Sequence, residues 1–148
     1  MTANLPHRRA LAVLNEPVAQ ALLHSRIPAR LGYLDGDGEP RVVPVWSHWN
    51  GKALVIGTFT DSEKLRAIHE GDRVAVSIDT QDYPYQALQL RGRVSLSQMP
   101  GLVPEYVLAA KRYLDAAEAD EFLARLGDQP MVRITIDVLR ARLLDMRR

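Results

Sequence analysis

Hydrophobic and polar residues alternate over many short stretches of the chain, which is the pattern of half-buried β-strands. Alternating or apolar runs of strand length occur at residues 29–34, 40–49, 52–58, 73–79, 87–96 and 131–138. In the run 87–96, successive residues point to an apolar face and a polar face in turn. The pattern therefore predicts six strands, with residues 140–146 as a seventh strand or as the continuation of the sixth.

Turn-forming residues separate the first three runs. The segment "DGDGE" at 35–39 follows the first run, and Asn50-Gly51, a strong hairpin signal, follows the second. These short connections predict that the first three strands form an antiparallel meander. Pro44 interrupts the second run. Because proline donates no backbone hydrogen bond, it is expected at a sheet edge, a strand start or a bulge.

Helical signals occur in three places between the runs. Asn15 is expected to cap a helix that has Pro17 in its first turn. Ser62 or the residue before it would begin a short helix that ends at Gly71, and residues 103–126 would form one or two helices. Many antiparallel strands with few helices predict a mostly β fold, in which a closed or nearly closed barrel removes exposed strand edges.

Composition narrows the function. The 148 residues are expected to form one domain, and 19 basic against 18 acidic residues give no basic excess for nucleic-acid binding. The lack of cysteine excludes disulfides, zinc–thiolate sites and thiol nucleophiles. The four histidines share no short spacing, so no metal site is predicted. The apolar run near the N-terminus is too short for a signal peptide or a membrane span, which favours a cytoplasmic protein.

The order of these features resembles the pyridoxamine 5'-phosphate oxidase-like family of flavin-binding split barrels. The shared series comprises the acidic-glycine turn, the Pro-interrupted strand, a strand ending at Thr58, the pair Ser62-x-Lys64 and the strand "RVAVSID". "LQLRGRV" matches a later strand with an internal glycine, and "MVRITI" matches the closing strand. The resemblance implies a split β-barrel of six to seven antiparallel strands with peripheral helices, in a single domain over residues 1–148.

The resemblance also implies that FMN, or alternatively the deazaflavin F420, lies against the second strand at the interface of a homodimer. The residues that would then contact the cofactor are Arg41, Val42, Val43, Pro44, Val45, Gly57, Thr58, Ser62 and Lys64. Ser62 and Lys64 would hold the phosphate at a helix N-terminus, with Arg41 nearby, and Thr58 would contact the flavin or its ribityl chain. The alternative for Ser62 is a helix N-cap, for Lys64 a surface lysine, and for Arg41 a solvated charge at the start of the strand. For Pro44, the alternative to cofactor contact is a bulge.

Two departures from the family pattern argue against oxidation of B6 vitamers. Trp46 stands where true pyridoxamine 5'-phosphate oxidases have a substrate-binding lysine, and the tail "RARLLDMRR" lacks their Arg-x-His signature. Residues 86–87 match only roughly the glutamine that the family places near the ring. The resemblance implies instead an oxidoreductase that exchanges hydride with an unidentified small molecule, without a dedicated catalytic side chain. The alternative is a non-enzymatic protein that stores, carries or senses flavin or haem.

Overall fold

The computed structural model of the chain describes residues 5–147, with side chains from residue 7 onwards. Seven strands and four α-helices occur in this range, together with a single 3₁₀ turn, Glu63–Arg66. The helices are α1 (Leu5–Leu14), α2 (Pro17–Leu23), α3 (Pro104–Tyr113) and α4 (Ala116–Leu126). The strands are β1 (Ala29–Leu34), β2 (Pro40–Val45), β3 (His48–Trp49), β4 (Leu54–Phe59), β5 (Arg73–Asp79), β6 (Gln86–Met99) and β7 (Met131–Asp145).

The seven strands form one antiparallel sheet in the order β2-β1-β5-β6-β7-β4-β3. The two edge strands, β2 and β3, are separated along the chain by Trp46 and Ser47 alone. Three Cα steps span at most about 11 Å, so the sheet must curl until its two edges lie side by side. The edges are not hydrogen-bonded to each other, which makes the barrel split. The mostly β, split-barrel fold predicted from the sequence is confirmed.

The predicted three-strand meander is wrong. β1 and β2 form one hairpin across residues 35–39, and β3 and β4 form another across Asn50-Gly51. Each turn was therefore identified correctly, but the run 40–49 is not one strand. It breaks at Trp46 and Ser47, and its two parts lie on opposite edges of the sheet.

Packing on α3 explains the break between β2 and β3. The Trp46 ring stacks on Tyr113 with centroids 5.5 Å apart, and the Arg112 Nη2 group donates a 2.7 Å hydrogen bond to the Ser47 carbonyl oxygen. Both contacts join residues far apart in sequence. The turn residues alone therefore could not predict where the chain leaves one sheet edge for the other.

Three helix predictions need correction. The sequence pattern did not indicate α1, whose Ala10 and Leu14 are buried in the main core. α2 begins at Pro17 as expected, but Glu16 and not Asn15 occupies its N-cap position. The helix predicted to run to Gly71 is only the 3₁₀ turn, which ends at Arg66 and is followed by the buried Ile68. Two helices, α3 and α4, account for residues 103–126, which agrees with the prediction.

The core fills the inner face of the curled sheet, and β6 and β7 are the longest strands around it. Residues 140–145 continue β7 and do not form an eighth element. The register between β6 and β7 shifts once, between Arg91 and Gly92. A Cβ at Gly92 would lie 2.5 Å from Ile136 Cγ2, so β7 packs against a position where no side chain fits. No helix of the described residues is long and apolar enough to span a membrane.

Candidate functional site

A polar cluster centred on Lys64 lies just beyond the end of β4. The Lys64 Nζ group donates hydrogen bonds to Thr58 Oγ1 at 3.0 Å and to Ser62 Oγ at 2.9 Å. Thr58 belongs to β4, and the other two residues belong to the turn that follows it. The structure thus brings together three of the predicted site residues. We call this group the Lys64 cluster.

The Lys64 cluster has the donors that an anion requires. Burial lowers the pKa of the Lys64 amine below its usual value, and no coulombic contribution from a neighbouring carboxylate opposes this among the described residues. One of the three ammonium N–H groups is left over after the two hydrogen bonds. The Ser62 and Thr58 oxygens accept from Lys64, so their own hydroxyl protons can be donated elsewhere. A half-buried cation with spare donors around it fits a phosphate group.

Ser62 does not act as a helix cap. It occupies the N-cap position of the 3₁₀ turn with φ −62° and ψ 137°, but its side chain makes no capping hydrogen bond. The side chain contacts Lys64 instead. Because the turn has only four residues, its macrodipole is small, and an anion here would be bound chiefly by side chains. The helix-terminus contribution expected from the sequence is therefore weaker than supposed. Thr58 is buried and mainly positions the amine.

Arg41 connects β2 to this region across the split between the sheet edges. Its Nη1 group donates to Glu63 Oε1 at 3.3 Å and lies 3.9 Å from Asp35 Oδ2. The hydrogen bond that Arg41 donates to Glu63 is the main reason that the pKa of Arg41 is raised. Glu63 lies between Ser62 and Lys64 in the sequence, so Arg41 is held beside the Lys64 cluster. Among the described residues only its Nη1 group is engaged, so the other N–H groups of the guanidinium could donate to a phosphate, with Glu63 as a competing anion.

The position of Pro44 is explained by the sheet edge. β2 pairs only with β1, and the register between them continues without interruption from Val45 to Pro40, with Pro44 opposite Arg30. There is no bulge, so that alternative is wrong. An edge strand has one side without a neighbouring strand and therefore tolerates a proline. Contact between this edge and a cofactor stays a prediction.

Side chains of β2 alternate between the interior and the outside. Val43 and Val45 pack partly against the core, whereas Val42 and Pro44 are exposed. Of these four predicted contact residues, Val42 alone lines the large groove described below. The backbone of the strand, and not a set of convergent side chains, is what β2 offers to a ligand.

Gly57 and Trp46 have packing roles that the sequence did not reveal. A Cβ at Gly57 would lie 2.7 Å from Tyr106 Cβ, so α3 rests directly on the backbone of β4. The Trp46 ring lies among three aromatic side chains of α3 and α4, with centroid distances of 5.4–5.6 Å to Tyr106, Tyr113 and Phe122. Trp46, which stands where true pyridoxamine 5'-phosphate oxidases have a lysine, is thus part of a cluster of aromatic side chains. A cofactor contact by Gly57 stays a prediction.

A second feature, a groove of about 720 Å³, lies on the outer face of the sheet, opposite the core, and reaches α1. Five arginines from four elements line it: Arg9, Arg30, Arg91, Arg140 and Arg142. We call it the arginine groove. None of these residues was singled out from the sequence. The available signal was the recurrence of arginine at alternate positions of β6 and β7, which places several guanidinium groups on one face.

Fold and site together define a split-barrel protein with a half-buried cluster of hydrogen-bond donors, the Lys64 cluster, beside one sheet edge. The sequence profile of the pyridoxamine 5'-phosphate oxidase family matches residues 16–143. The match spans most of the chain, and the protein belongs to this family. A comparison with curated proteins finds no match.

Solved structures with the same fold differ in what their names describe. An F420 reductase is 27% identical with a TM-score of 0.63, over 83% of this chain and 94% of that one. HupZ of Group A Streptococcus is 20% identical with a TM-score of 0.57, over 84% and 89%. HutZ, the heme storage protein of Vibrio cholerae, is 14% identical with a TM-score of 0.59, over 88% and 93%. At these identities, the last two show the fold alone.

Proposed function

We propose that this protein binds FMN, or alternatively F420, through a phosphate held at the Lys64 cluster, and that it acts as an oxidoreductase. The observation that carries the proposal is the half-buried Lys64 amine, which is hydrogen-bonded only to the hydroxyls of Thr58 and Ser62 among the residues described. A buried cation that lacks a carboxylate partner gains most from a bound anion. The F420 reductase, at 27% identity, supports an oxidoreductase that uses a flavin-like group.

The residues of this chain would bind and orient the cofactor. Ser62 and Lys64 donate charge-assisted hydrogen bonds to the phosphate, and Thr58 holds the amine in position. Arg41 adds a further positive charge when it leaves Glu63. The free edge of β2, from Val42 to Val45, together with Gly57, would border the ring. The bound flavin or deazaflavin supplies the hydride exchange with a small-molecule substrate, so no dedicated catalytic side chain is assigned.

A second copy of the chain is part of this proposal. Leu34 on β1 and Val42 on β2 are 60% and 69% exposed, which is high for apolar side chains beside a sheet edge. A homodimer would cover them and enclose the cofactor between the two copies. We place the protein in the cytoplasm on the basis of its sequence.

A carrier or storage protein for haem or flavin is the second candidate. The fold shared with the heme storage protein HutZ supports it. On this chain, burial and then Arg112 lower the pKa of the half-buried His48, which favours the neutral imidazole, the form that binds iron. No group of three potential metal-binding side chains occurs within the described part of the chain. His48 is the axial ligand that this candidate assigns.

The decisive experiment is to identify the chromophore that copurifies, by absorbance spectrum and mass, and then to titrate the chromophore-free protein with FMN, F420 and haem. Tight binding of FMN or F420 that is lost in Lys64→Ala supports the oxidoreductase proposal. Haem binding that is lost in His48→Ala, with no flavin binding, supports the carrier. The matched control is Lys52→Ala, since Lys52 is exposed in the β3–β4 turn and remote from the Lys64 cluster.

A further inference from the structure

The arginine groove concentrates positive charge that the proposed function does not use. Its five arginine side chains are all exposed, and they come from α1, β1, β6 and β7. The chain as a whole carries a formal charge of only +1. The fold, and not the composition, therefore creates this local excess. A volume of about 720 Å³ lies within the range that small-molecule ligands occupy.

Most of this charge is not neutralised within residues 7–147. Arg30 is the only one of the five arginines with an ion-pair partner there, at 3.3 Å between its Nε and Asp79 Oδ1. No acidic side chain lines the arginine groove. The other four guanidinium groups are left to solvent or to a ligand.

The sheet register also sets two of these charges against each other. Arg91 on β6 is paired directly with Arg140 on β7. Directly opposed residues of antiparallel strands point to the same face, and like charges in that arrangement are destabilising. An anion lying between the two guanidinium groups would convert this repulsion into attraction.

Small residues keep the base of the arginine groove open. Gly32 and Ala75 are paired on adjacent strands, and a Cβ on Gly32 would lie 3.7 Å from Ala75 Cβ. Exposed Val42 adds an apolar surface at the same site. The arginine groove therefore has an apolar base with guanidinium groups around it. This arrangement suits an elongated molecule with charged groups along its length.

We propose that the arginine groove binds an elongated small-molecule anion with two or more negative groups, either phosphates or carboxylates. A guanidinium group can bind a phosphate or a carboxylate through two parallel hydrogen bonds. A ligand with only one negative group would leave most of the four unpaired arginines without a partner. The arginine groove shares no residue with the Lys64 cluster. The two proposed sites meet at Val42, which lines the arginine groove and also belongs to the β2 edge that would border the flavin ring, but none of the five arginines is assigned to the cofactor.

The test is calorimetric titration of the full chain with inorganic tripolyphosphate and, separately, with tri-glutamate, at low and at high ionic strength. We expect at least one of them to bind, with an affinity that falls as salt increases. The double variant Arg140→Gln/Arg142→Gln should weaken binding by about tenfold or more. Binding of only tripolyphosphate assigns a phosphate ligand, binding of only tri-glutamate assigns a carboxylate ligand, and binding of both shows recognition of charge alone.

The matched control is Arg93→Gln, which removes the same charge from the same exposed face of β6 but lies opposite Asp137, outside the arginine groove. It should leave the affinity unchanged. A separate measurement, the melting temperature without ligand, should rise in Arg140→Gln because its repulsion with Arg91 is gone. Tripolyphosphate or tri-glutamate should raise the melting temperature of the parent protein more than that of the variant.

Four results would overturn the proposal. They are no binding of either anion, an equal loss of affinity in Arg93→Gln, and tighter binding of a single-stranded oligonucleotide than of either small anion. The fourth is a dimer that dissociates in the Arg140→Gln/Arg142→Gln variant while neither anion binds the parent protein. That result would mean that a second copy of the chain covers the arginine groove.

Discussion

The Lys64 cluster and the arginine groove are both positively charged, yet they are assembled in different ways. The Lys64 cluster consists of three residues within a stretch of seven, so local chain geometry is enough to bring them together. The arginines of the arginine groove come from α1 and three strands, and their grouping depends on how those strands are aligned. The first lies within one short segment, which the family resemblance picks out in the sequence. The second exists only once the register of the sheet is known.

The largest expected effect comes from disturbing that register. Gly92→Ala would place a Cβ 2.5 Å from Ile136 Cγ2 and 2.6 Å from the Asp137 carbonyl oxygen, where backbone cannot easily move. We expect a loss of about 2–3 kcal/mol in the free energy of unfolding, measured in urea. Gly32→Ala is the control, since its nearest neighbours are at 3.7 Å, and it should change stability by less than about 0.5 kcal/mol. Equal effects at the two glycines would contradict the account of β6–β7 packing.

Lys64→Ala should have the next largest effect, on ligand affinity. Loss of a charge-assisted hydrogen bond should weaken binding of FMN or F420 by about 1–3 kcal/mol, or roughly 5- to 150-fold. Binding to the arginine groove should be unaffected, which separates the two sites. Unchanged cofactor affinity in a fluorescence titration would remove the Lys64 cluster from the proposed site.

Glu63→Gln should have a smaller effect of the opposite sign. It releases Arg41 from its 3.3 Å contact, so that the guanidinium is free to approach a phosphate at the Lys64 cluster. Because the ion pair is exposed, we expect the affinity for FMN or F420 to rise by only about 1.5- to 5-fold. Arg41→Gln should lower the affinity if the same guanidinium contacts the phosphate. A fall in affinity in Glu63→Gln would contradict competition between Glu63 and the phosphate for Arg41.

The pH dependence of stability gives the smallest signal. Burial lowers the pKa of Lys64 in the folded protein, so the unfolded chain holds more protons as the pH rises toward the ordinary lysine value of 10.5. The free energy of unfolding should therefore increase with pH in that alkaline window, relative to Lys64→Met. Unfolding in urea at several alkaline pH values measures the difference. A parallel pH profile for the two proteins would mean that the amine is not desolvated.

Local signals predicted much of the fold. β1 and β5 have the expected bounds, because strict alternation and flanking turn residues define both. The three members of the Lys64 cluster were also identified, but through the family resemblance, because their spacing alone favours an N-capping serine and a surface lysine. Pro44 was expected at an edge, a strand start or a bulge, and β2 is an edge strand.

Contacts between distant residues account for what the sequence did not reveal. The break after Val45 depends on stacking of Trp46 on α3, and α1 is stabilised by packing on the core and not by a strong pattern of its own. The role of Gly57 depends on the approach of Tyr106, which lies about fifty residues later. None of these contacts has a local signature.

The two sheet edges on either side of the split are connected by different interactions at its two ends. At the Val45 end, two residues of covalent chain join β2 to β3; at the other end, Arg41 of β2 contacts Glu63 through an exposed ion pair. Covalent chain does not respond to salt, whereas an exposed ion pair weakens with it. Hydrogen–deuterium exchange along β2 should therefore form a gradient, with the amides near Arg41 exchanging faster than those near Val45 and more so as salt increases. The barrel would then open to solvent from one end only.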